Sequence, residues 1–364
     1  MKALVAMSGG VDSSVAAGLM LDRGYEVVGV TLKQWEGPDG AMPVAGCCTL
    51  SDAEDARRVA AQLDIPYYVL DYVEEFTEAV VEPFAKGYLD GLTPNPCIEC
   101  NRNVRFDALV DRTNELGCDV LVTGHHARVE QHGDRFRLRR AVDGTKDQSY
   151  VLHMLDQEAL SKVVLPIGEM TKVKVREYAH SMGLRTAAKP DSQDICFVTS
   201  GDYRDFLRGM HPEVDAPGDV LNINGEVVGQ HPGTTNFTIG QRKGLGVSVG
   251  EPRYVVDIEP RAQTITIGRY EDLLVESCVA VDMRHTDTPS REGDRVSVKV
   301  RYRAEPVAAT IASAGEGPDG RWSFRFDEPQ AKPAPGQALV MYDGEYVLGG
   351  GTIIDARDSV AAAT

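Results

Sequence analysis

The stretch AMSGGVDSS, residues 6–14, sits between an apolar run and a helical one, and its reading decides the fold. Before it, KALVAM (2–7) reads as a buried strand. After it, SSVAAGLMLDRG (13–24) reads as a helix with Val15, Leu19 and Met20 on one face, ended by Gly24. Gly9 and Gly10 let backbone N–H groups wrap closely around an oxyanion, and the helix N-terminus adds partial positive charge. Ser8 and Ser13 offer hydroxyls, and Asp12 is suited to cap the helix or to bind magnesium. A Walker loop would carry a lysine that serves the γ-phosphate, and none is present here. Its absence suits a loop that holds pyrophosphate while the α-phosphate is attacked, as in adenylation. The plain alternative is a tight Gly-Gly turn.

Outward from this loop, strands and helices alternate. EVVGVTL (26–32), YYVL (67–70) and DVLVTG (119–124) read as strands. SDAEDARRVAAQLD (51–64) reads as a helix with Ser51 as cap and Glu54 completing a capping box. Helices are also expected over about 74–89, 104–116, 156–163, 172–182 and 202–209. The pattern predicts a parallel sheet covered by helices on both faces, with ligands at the carboxyl ends of the strands. The texture changes at HPEVDAPGD (211–219) to short alternating strands. Asn224-Gly225 marks a hairpin there, and RVSVKVRYR (295–303), RWSFRF (321–326), ALVMYD (338–343) and YVLGGGTII (346–354) follow. The expected division is an α/β nucleotide-binding domain over 1–210, a small β domain over 211–276, a second β domain over 277–358 and a tail over 359–364.

No apolar run approaches the roughly 20 residues that span a bilayer, and the N-terminus does not read as a secretory signal. A cytoplasmic location is expected, where thiols stay reduced. The net charge of −17 argues against a general nucleic-acid coat. Basic clusters nevertheless stand at RFRLRR (135–140), KVKVR (172–176) and within 295–303. Singly, each reads as an ordinary solvated face; three together raise the idea of a docked polyanion.

The seven cysteines are odd in number and irregular in spacing, so no disulfide framework is expected. In TPNPCIECN (93–101), Cys97 and Cys100 form the chain's one C-x-x-C, open to redox, metal or single-thiol readings. Cys100 is placed just before a helix starting near Asn103, where the helix terminus, Arg102 and Arg105 favour a thiolate. Cys196, in KPDSQDICF (189–197), also lies in a polar loop before a helix. Cys118 and Cys278 read as buried and structural, and Cys47-Cys48 as structural or loop residues. One C-x-x-C is too little for a structural zinc site, and TGHH (123–126) fits the nucleotide pocket better.

The loop S-G-G-x-D-S after the first strand resembles the PP-loop ATP pyrophosphatases, an adenine nucleotide alpha hydrolase-like, Rossmann-like fold. With MSGGVDSSV, TPNPC-x-x-CN, LVTGHHARV, KDQSYVLHML, KPDSQDICF, TIGQRKGLGV, RYR and LGGGTI in that order, nearly the whole chain resembles the bacterial tRNA-specific 2-thiouridylases, the MnmA family. The resemblance implies a C-terminal β-barrel and an ATP-dependent adenylation, with Mg2+, of C2 of uridine 34 in the anticodon stem-loop of tRNA. Sulfur then arrives from a cysteine persulfide delivered by a partner (a cysteine desulfurase or sulfur-relay protein), giving 2-thiouridine, AMP and pyrophosphate. It assigns the sulfur-carrying thiol to Cys196 and the second catalytic thiol to Cys100, with a Cys100–Cys196 disulfide in one version and released hydrosulfide in the other. It assigns ATP contacts to Ala6, Met7, Ser8, Gly9, Gly10, Val11, Asp12, Ser13, Leu32 and Gly124. Asn95, Pro96 and Cys97 would meet the target base, and Lys146, Asp147, Gln148, Ser149, Arg301 and Tyr302 the tRNA. A plain turn for 146–149 and a solvated strand residue for Arg301 are the structural alternatives.

Some family members carry Asp at the position of Cys97, and a thiol does not inherit a carboxylate's acid–base work. Cys97, Cys100 and Cys196 therefore also suggest three ligands of a [4Fe–4S] cluster as a variant route. Another adenylating ligase or amidotransferase would leave Cys100 and Cys196 idle. A non-enzymatic tRNA- or nucleotide-binding regulator is disfavoured by the intact loop.

Overall fold

The computed structural model describes residues 1–36, 50–191, 195–198, 202–214, 216–247, 250–315 and 320–355. Cys47, Cys48 and the expected tail at 359–364 lie outside them. Among the described residues no helix is long and apolar enough to cross a membrane.

Strands β1 (Lys2–Ala6), β2 (Glu26–Lys33), β3 (Tyr67–Asp71) and β4 (Val120–Val122) are joined by a hairpin, β5 (Ala127–His132) and β6 (Arg135–Arg140), to β7 (Val163–Val164). Five of these form a parallel sheet in the order β3-β2-β1-β4-β7. The chain moves to opposite sides of β1 on leaving β1 and on entering β4, so a crevice opens at the carboxyl end between them. The loop at 6–14 leaves β1 at that crevice. Ala3, Leu4 and Val5 have no solvent exposure, as a strand covered on both faces requires. Helix α1 (Val11–Asp22) packs through Val15, Ala16 and Met20 into one cluster with Val175 and Ala179 of the helix Lys172–Ser181. The opposite face is covered by helices over 73–89 and 96–115, through Phe76, Phe84, Val104 and Leu109.

Beyond residue 217, β8 (Gly218–Asn222), β9 (Val227–His231), β10 (Tyr254–Glu259) and β11 (Thr264–Gly268) form a four-stranded sheet. The expected Asn-Gly hairpin joins β8 to β9, with Gly225 at φ +81°. The remaining strands are β12 (Leu274–His285), β13 (Arg295–Lys299), β14 (Val307–Ala314), β15 (Trp322–Ala331), β16 (Ala338–Asp343) and β17 (Tyr346–Ile354). Because β12 pairs with both β15 and β17, these six antiparallel strands close into a barrel, filled by Ala280, Val298, Ile311, Phe324 and Met341. Closure removes the open edges such a sheet would otherwise present.

Three local readings change. The cluster RFRLRR is not a solvated face: β5 and β6 extend the barrel's sheet beside β17, with Arg139 opposite Tyr346. Arg135 and Arg137 both bind Asp287, and Arg139 binds Glu130 and Glu345, so these arginines clamp the first domain to the barrel. The helix expected near Asn103 begins at Pro96, because Asn95 caps it through a 3.1 Å bond from the Cys97 N–H and proline is tolerated at the first helical position. Helix α2 (Leu50–Gln62) already includes Ser51, and Glu54 pairs with Arg57 and Arg58 rather than completing a capping box.

Candidate active site

The phosphate loop is built by close approach. Gly9 has φ +70°, and a Cβ there would lie 2.1 Å from the Asp52 carbonyl oxygen. Gly10 is the N-cap of α1 and no side chain caps the helix, so its first N–H groups face the loop without intrahelical partners. Ser8 N–H donates to Ser13 Oγ at 3.1 Å, and Ser14 Oγ donates to the Gly10 carbonyl at 2.8 Å. Met7 N–H donates to Val30 O at 2.7 Å, which sets the loop beside the end of β2, where Leu32 is buried. A Cβ on Gly124 would stand 2.6 Å from Ser13 N, so only glycine lets the end of β4 reach the helix start. The expected ATP set, Ala6 through Ser13 with Leu32 and Gly124, thus meets at one edge of the sheet.

Two lysines reach the loop from far along the chain. Lys172 Nζ lies 2.8 and 2.7 Å from the two Asp12 oxygens and 2.8 Å from Asp191. Lys189 Nζ donates to the Gly9 carbonyl at 3.0 Å and to Asp52 and Asp55 at 2.7 Å each. Lys146 and Arg176 complete the cluster on Asp191, at 2.8 and 2.9 Å. Burial acts to raise the Asp191 pKa, but the Lys146 and Lys172 ammonium groups overcome it and bring it down to about 2. Burial likewise opposes ionisation of Asp12, and His126 at 3.2 Å together with Lys172 holds it below the usual carboxylate value. His126 Nδ1 is buried with no partner. KVKVR was read as a solvated face; its signal as a site was Lys172 beside the cap Thr171, at the start of a helix.

The thiols lie at the same sheet edge, on its apolar side. Gln34, buried just past β2, donates from Nε2 to Cys100 Sγ at 3.2 Å. The next residue, Trp35, packs against Phe197 at a ring distance of 6.3 Å, and Phe197 follows Cys196 directly. Consecutive residues of one strand end therefore hold the neighbourhoods of both thiols, and both belong to one cluster with Phe76, Phe84 and Phe206. Cys100 also opens a π-helical segment, Cys100–Phe106, whose last residue meets the His125 ring at 5.8 Å. Such widened turns recur at functional sites. Gln34 and Trp35 carried no motif that a sequence reading could use, and Phe197 closes the quoted KPDSQDICF stretch without any mark of its packing partners. By contrast, burial pushes the Cys278 thiol up to about 12 and raises that of Cys118, in keeping with structural roles.

The expected RNA-contacting residues divide. Asn95 is a helix cap, Pro96 is buried and Cys97 is exposed. Tyr302 is 38% exposed, and its ring lies 5.8 Å from that of Tyr150, just past Ser149. Lys146 reaches the Asp191 cluster instead. Asp147 is buried and accepts from Ala141 N, Ser149 N, Ser149 Oγ and Arg140 Nε. Gln148 exchanges bonds with the His126 backbone at 2.8 and 2.9 Å. Arg301 Nη2 donates to the carbonyls of Lys332 at 3.3 Å and Ile239 at 3.5 Å, bridging the barrel and the middle domain. Cys97, Cys100 and Cys196 do not gather as a cluster would need: among the described residues no group of three His, Cys, Asp or Glu is placed to hold a metal ion.

A parallel sheet with a lysine-free phosphate loop at its switch point, followed by two β modules, defines a PP-loop ATP-binding protein of the HUP class. Three family models match in series: "tRNA methyl transferase HUP domain" over 1–200, "tRNA methyl transferase PRC-barrel domain" over 204–269 and "Aminomethyltransferase beta-barrel domain" over 275–353. A tRNA-specific 2-thiouridylase MnmA from Chloroflexus aggregans is 47% identical over 352 residues, covering 96% of this chain and 97% of its own. One from Clostridioides difficile is 44% identical over 355 residues, covering 97% and 98%. The chain belongs to the tRNA-specific 2-thiouridylase (MnmA) family, whose members are sulfurtransferases. The family descriptions speak of methyl transfer and the relatives' names of thiolation; a lysine-free phosphate loop beside two thiols fits thiolation. A solved structure of a predicted tRNA methyltransferase subunit from Methanocaldococcus jannaschii overlaps 58% of this chain and 87% of its own, at 16% identity and TM-score 0.34, too loosely to bear on chemistry.

Proposed function

We propose that the protein is an ATP-dependent tRNA-uridine 2-sulfurtransferase that acts in the cytoplasm on uridine 34 of the anticodon stem-loop. The C2 oxygen of the uridine attacks the α-phosphorus, the bond to the β-phosphate breaks, and pyrophosphate leaves. Gly9, Gly10 and the start of α1 hold that pyrophosphate, and Lys172 and Lys189 offset its charge. Asp12, kept ionised, is the hard oxygen donor suited to the Mg2+ that accompanies ATP, and that ion would neutralise phosphate charge.

A partner loads Cys196 as a persulfide. Its terminal sulfur attacks C2 and AMP leaves with the oxygen. Cys100 then attacks Cys196 Sγ, which frees the thiocarbonyl and leaves a Cys100–Cys196 disulfide for an external thiol to reduce. In the variant order Cys100 first releases hydrosulfide, which attacks C2.

The observation that carries this reading is the pair of contacts from Gln34 to Cys100 and from Trp35 to Phe197, which sets both thiol segments at the nucleotide edge. Mass spectrometry of tRNA nucleosides after incubation with ATP and sulfide tests it. ATP-dependent 2-thiouridine at position 34 is expected; none formed, with sulfide bypassing the donor, would sink it. Iron analysis of active, anaerobically purified protein is expected to show none.

A further inference from the structure

TIGQRKGLGV (238–247) stands out in the sequence, and neither nucleotide nor thiol chemistry uses it. It is a loop entering β10, with a fixed root and an open tip. Phe237, Ile239 and Leu245 are buried in the core of the middle domain. Gly240 N–H donates to Val255 O at 2.8 Å, and Val255 N–H donates to Gln241 O at 3.0 Å. Gln241 closes the turn, accepting from Thr238 N at 3.2 Å and donating to Lys243 O at 3.0 Å. Gly240, Gly244 and Gly246 all have φ between +71° and +83°, a backbone that alternates the direction of N–H groups and shapes anion-binding concavities.

At the tip, Arg242 and Lys243 are exposed, and among the described residues neither is in an ion pair. That sets them apart from RFRLRR, whose arginines are spent on Asp287, Glu130, Glu345 and Asp147. Beside Arg242 lies a cavity of about 380 Å³, in which Arg253 is already neutralised by Glu251 at 2.6 Å. The loop also abuts the expected RNA-contacting pair: a Cβ on Gly240 would meet Arg301 Nη2 at 2.8 Å, and Tyr302 follows.

We infer that the tip of this loop is an RNA-backbone-binding element of the middle domain, in which Arg242 and Lys243 contact phosphates of the tRNA while Arg301 serves as the joint that fixes the loop against the barrel. The inference rests on the proposed tRNA substrate. It explains how so acidic a protein grips a polyanion after most of its basic clusters have been used internally.

The test compares the full chain with Arg242→Ala/Lys243→Ala and with the conservative Arg242→Lys/Lys243→Arg, in filter binding of full-length tRNA across salt concentrations. In the alanine pair the slope of log affinity against log salt is expected to fall by about 1 per cation removed, about 2 in all, with affinity weakened roughly tenfold. The conservative pair keeps the wild-type slope, which separates a charge effect from a folding defect. Sulfide-supported thiolation at saturating tRNA keeps its kcat while the KM for tRNA rises. An alanine pair with wild-type affinity and slope overturns the inference and leaves the tRNA reading standing; wild-type protein that binds no tRNA overturns both.

Discussion

The two ends of the catalytic crevice are held by opposite means. Around the phosphate loop, Lys172, Lys189, Asp12, Asp52 and Asp191 form a network of charge. Around the thiols, Trp35, Phe76, Phe84, Phe197 and Phe206 form an aromatic wall, with ring centroids 5.1 to 6.3 Å apart in the pairs that Phe197 makes. The difference suits the chemistry proposed for each end. A triphosphate needs cations that are already placed and cost no reorganisation when charge moves. A persulfide and an adenylated base need shelter from water, which would hydrolyse the adenylate. If the ends are separate in this way, each can be damaged without the other.

The largest expected effect is at the apolar end. Cys196→Ser should reduce thiolation from a persulfide donor to background, since a serine hydroxyl cannot carry a persulfide. AMP release with tRNA should persist. A variant that still thiolates from the persulfide donor would remove Cys196 from the route. Next comes the charged end: Lys172→Met should cut ATP-dependent AMP formation by about 10²–10³-fold, the range for losing one preorganised partner of a developing charge. Alkylation of Cys100 should proceed at the wild-type rate. Near-normal AMP formation would return Lys172 to a purely structural role.

The two ends also differ in how far the sequence revealed them. The phosphate loop was legible because strand, glycines and helix are contiguous, and the β character of the later domains because their strands alternate visibly; that the last of them is a barrel came from the family resemblance. Lys172 was not, because it lies 160 residues from Asp12 in a cluster that composition makes ordinary. The union of β6 with β17 was hidden for the same reason: Arg139 and Tyr346 pair across more than two hundred residues, and a short hairpin carries no mark of its distant partner. The helix that holds Cys100 starts at Pro96 and not near Asn103, because TPNPCIECN reads as a loop although proline suits a first turn. Cys100 and Cys196 were assigned by family resemblance. Gln34 and Trp35, which bring their segments together, are single side chains at a strand end.

Two buried imidazoles, His125 in the loop after β4 and His153 in the turn after residues 149–152, set a third, smaller effect. Burial, reinforced by Arg105 and His126, lowers His125 to about 3 despite Asp12, and burial with Arg102 lowers His153 to about 4. Both are neutral when folded, while the unfolded chain takes up a proton below about 6.5. Stability from these groups is therefore full above that pH and lost as pH falls towards the folded values. For His153 the loss amounts to about 3 kcal/mol between pH 6.5 and 4. Chemical denaturation of His153→Asn across that range should show an acid limb flattened by about this amount. Limbs that run parallel would mean that the imidazole is reached by water.

The smallest effect sharpens the comparison most, because it asks whether one polar contact matters inside the aromatic wall. Gln34 is 2% exposed and directs its amide at Cys100. An N–H donor aimed at sulfur favours the thiolate over the thiol, and a hydrogen bond of this kind is worth about 1 kcal/mol. Gln34→Met keeps the volume and removes the donor. Iodoacetamide should then label Cys100 about fivefold more slowly at neutral pH, which is what ~1 kcal/mol predicts. AMP formation from ATP should be unaffected, since Lys172 and Lys189 stay in place. If AMP formation falls together with labelling, the two ends are coupled through β2, and the division between a charged end and an apolar end fails at the strand they share.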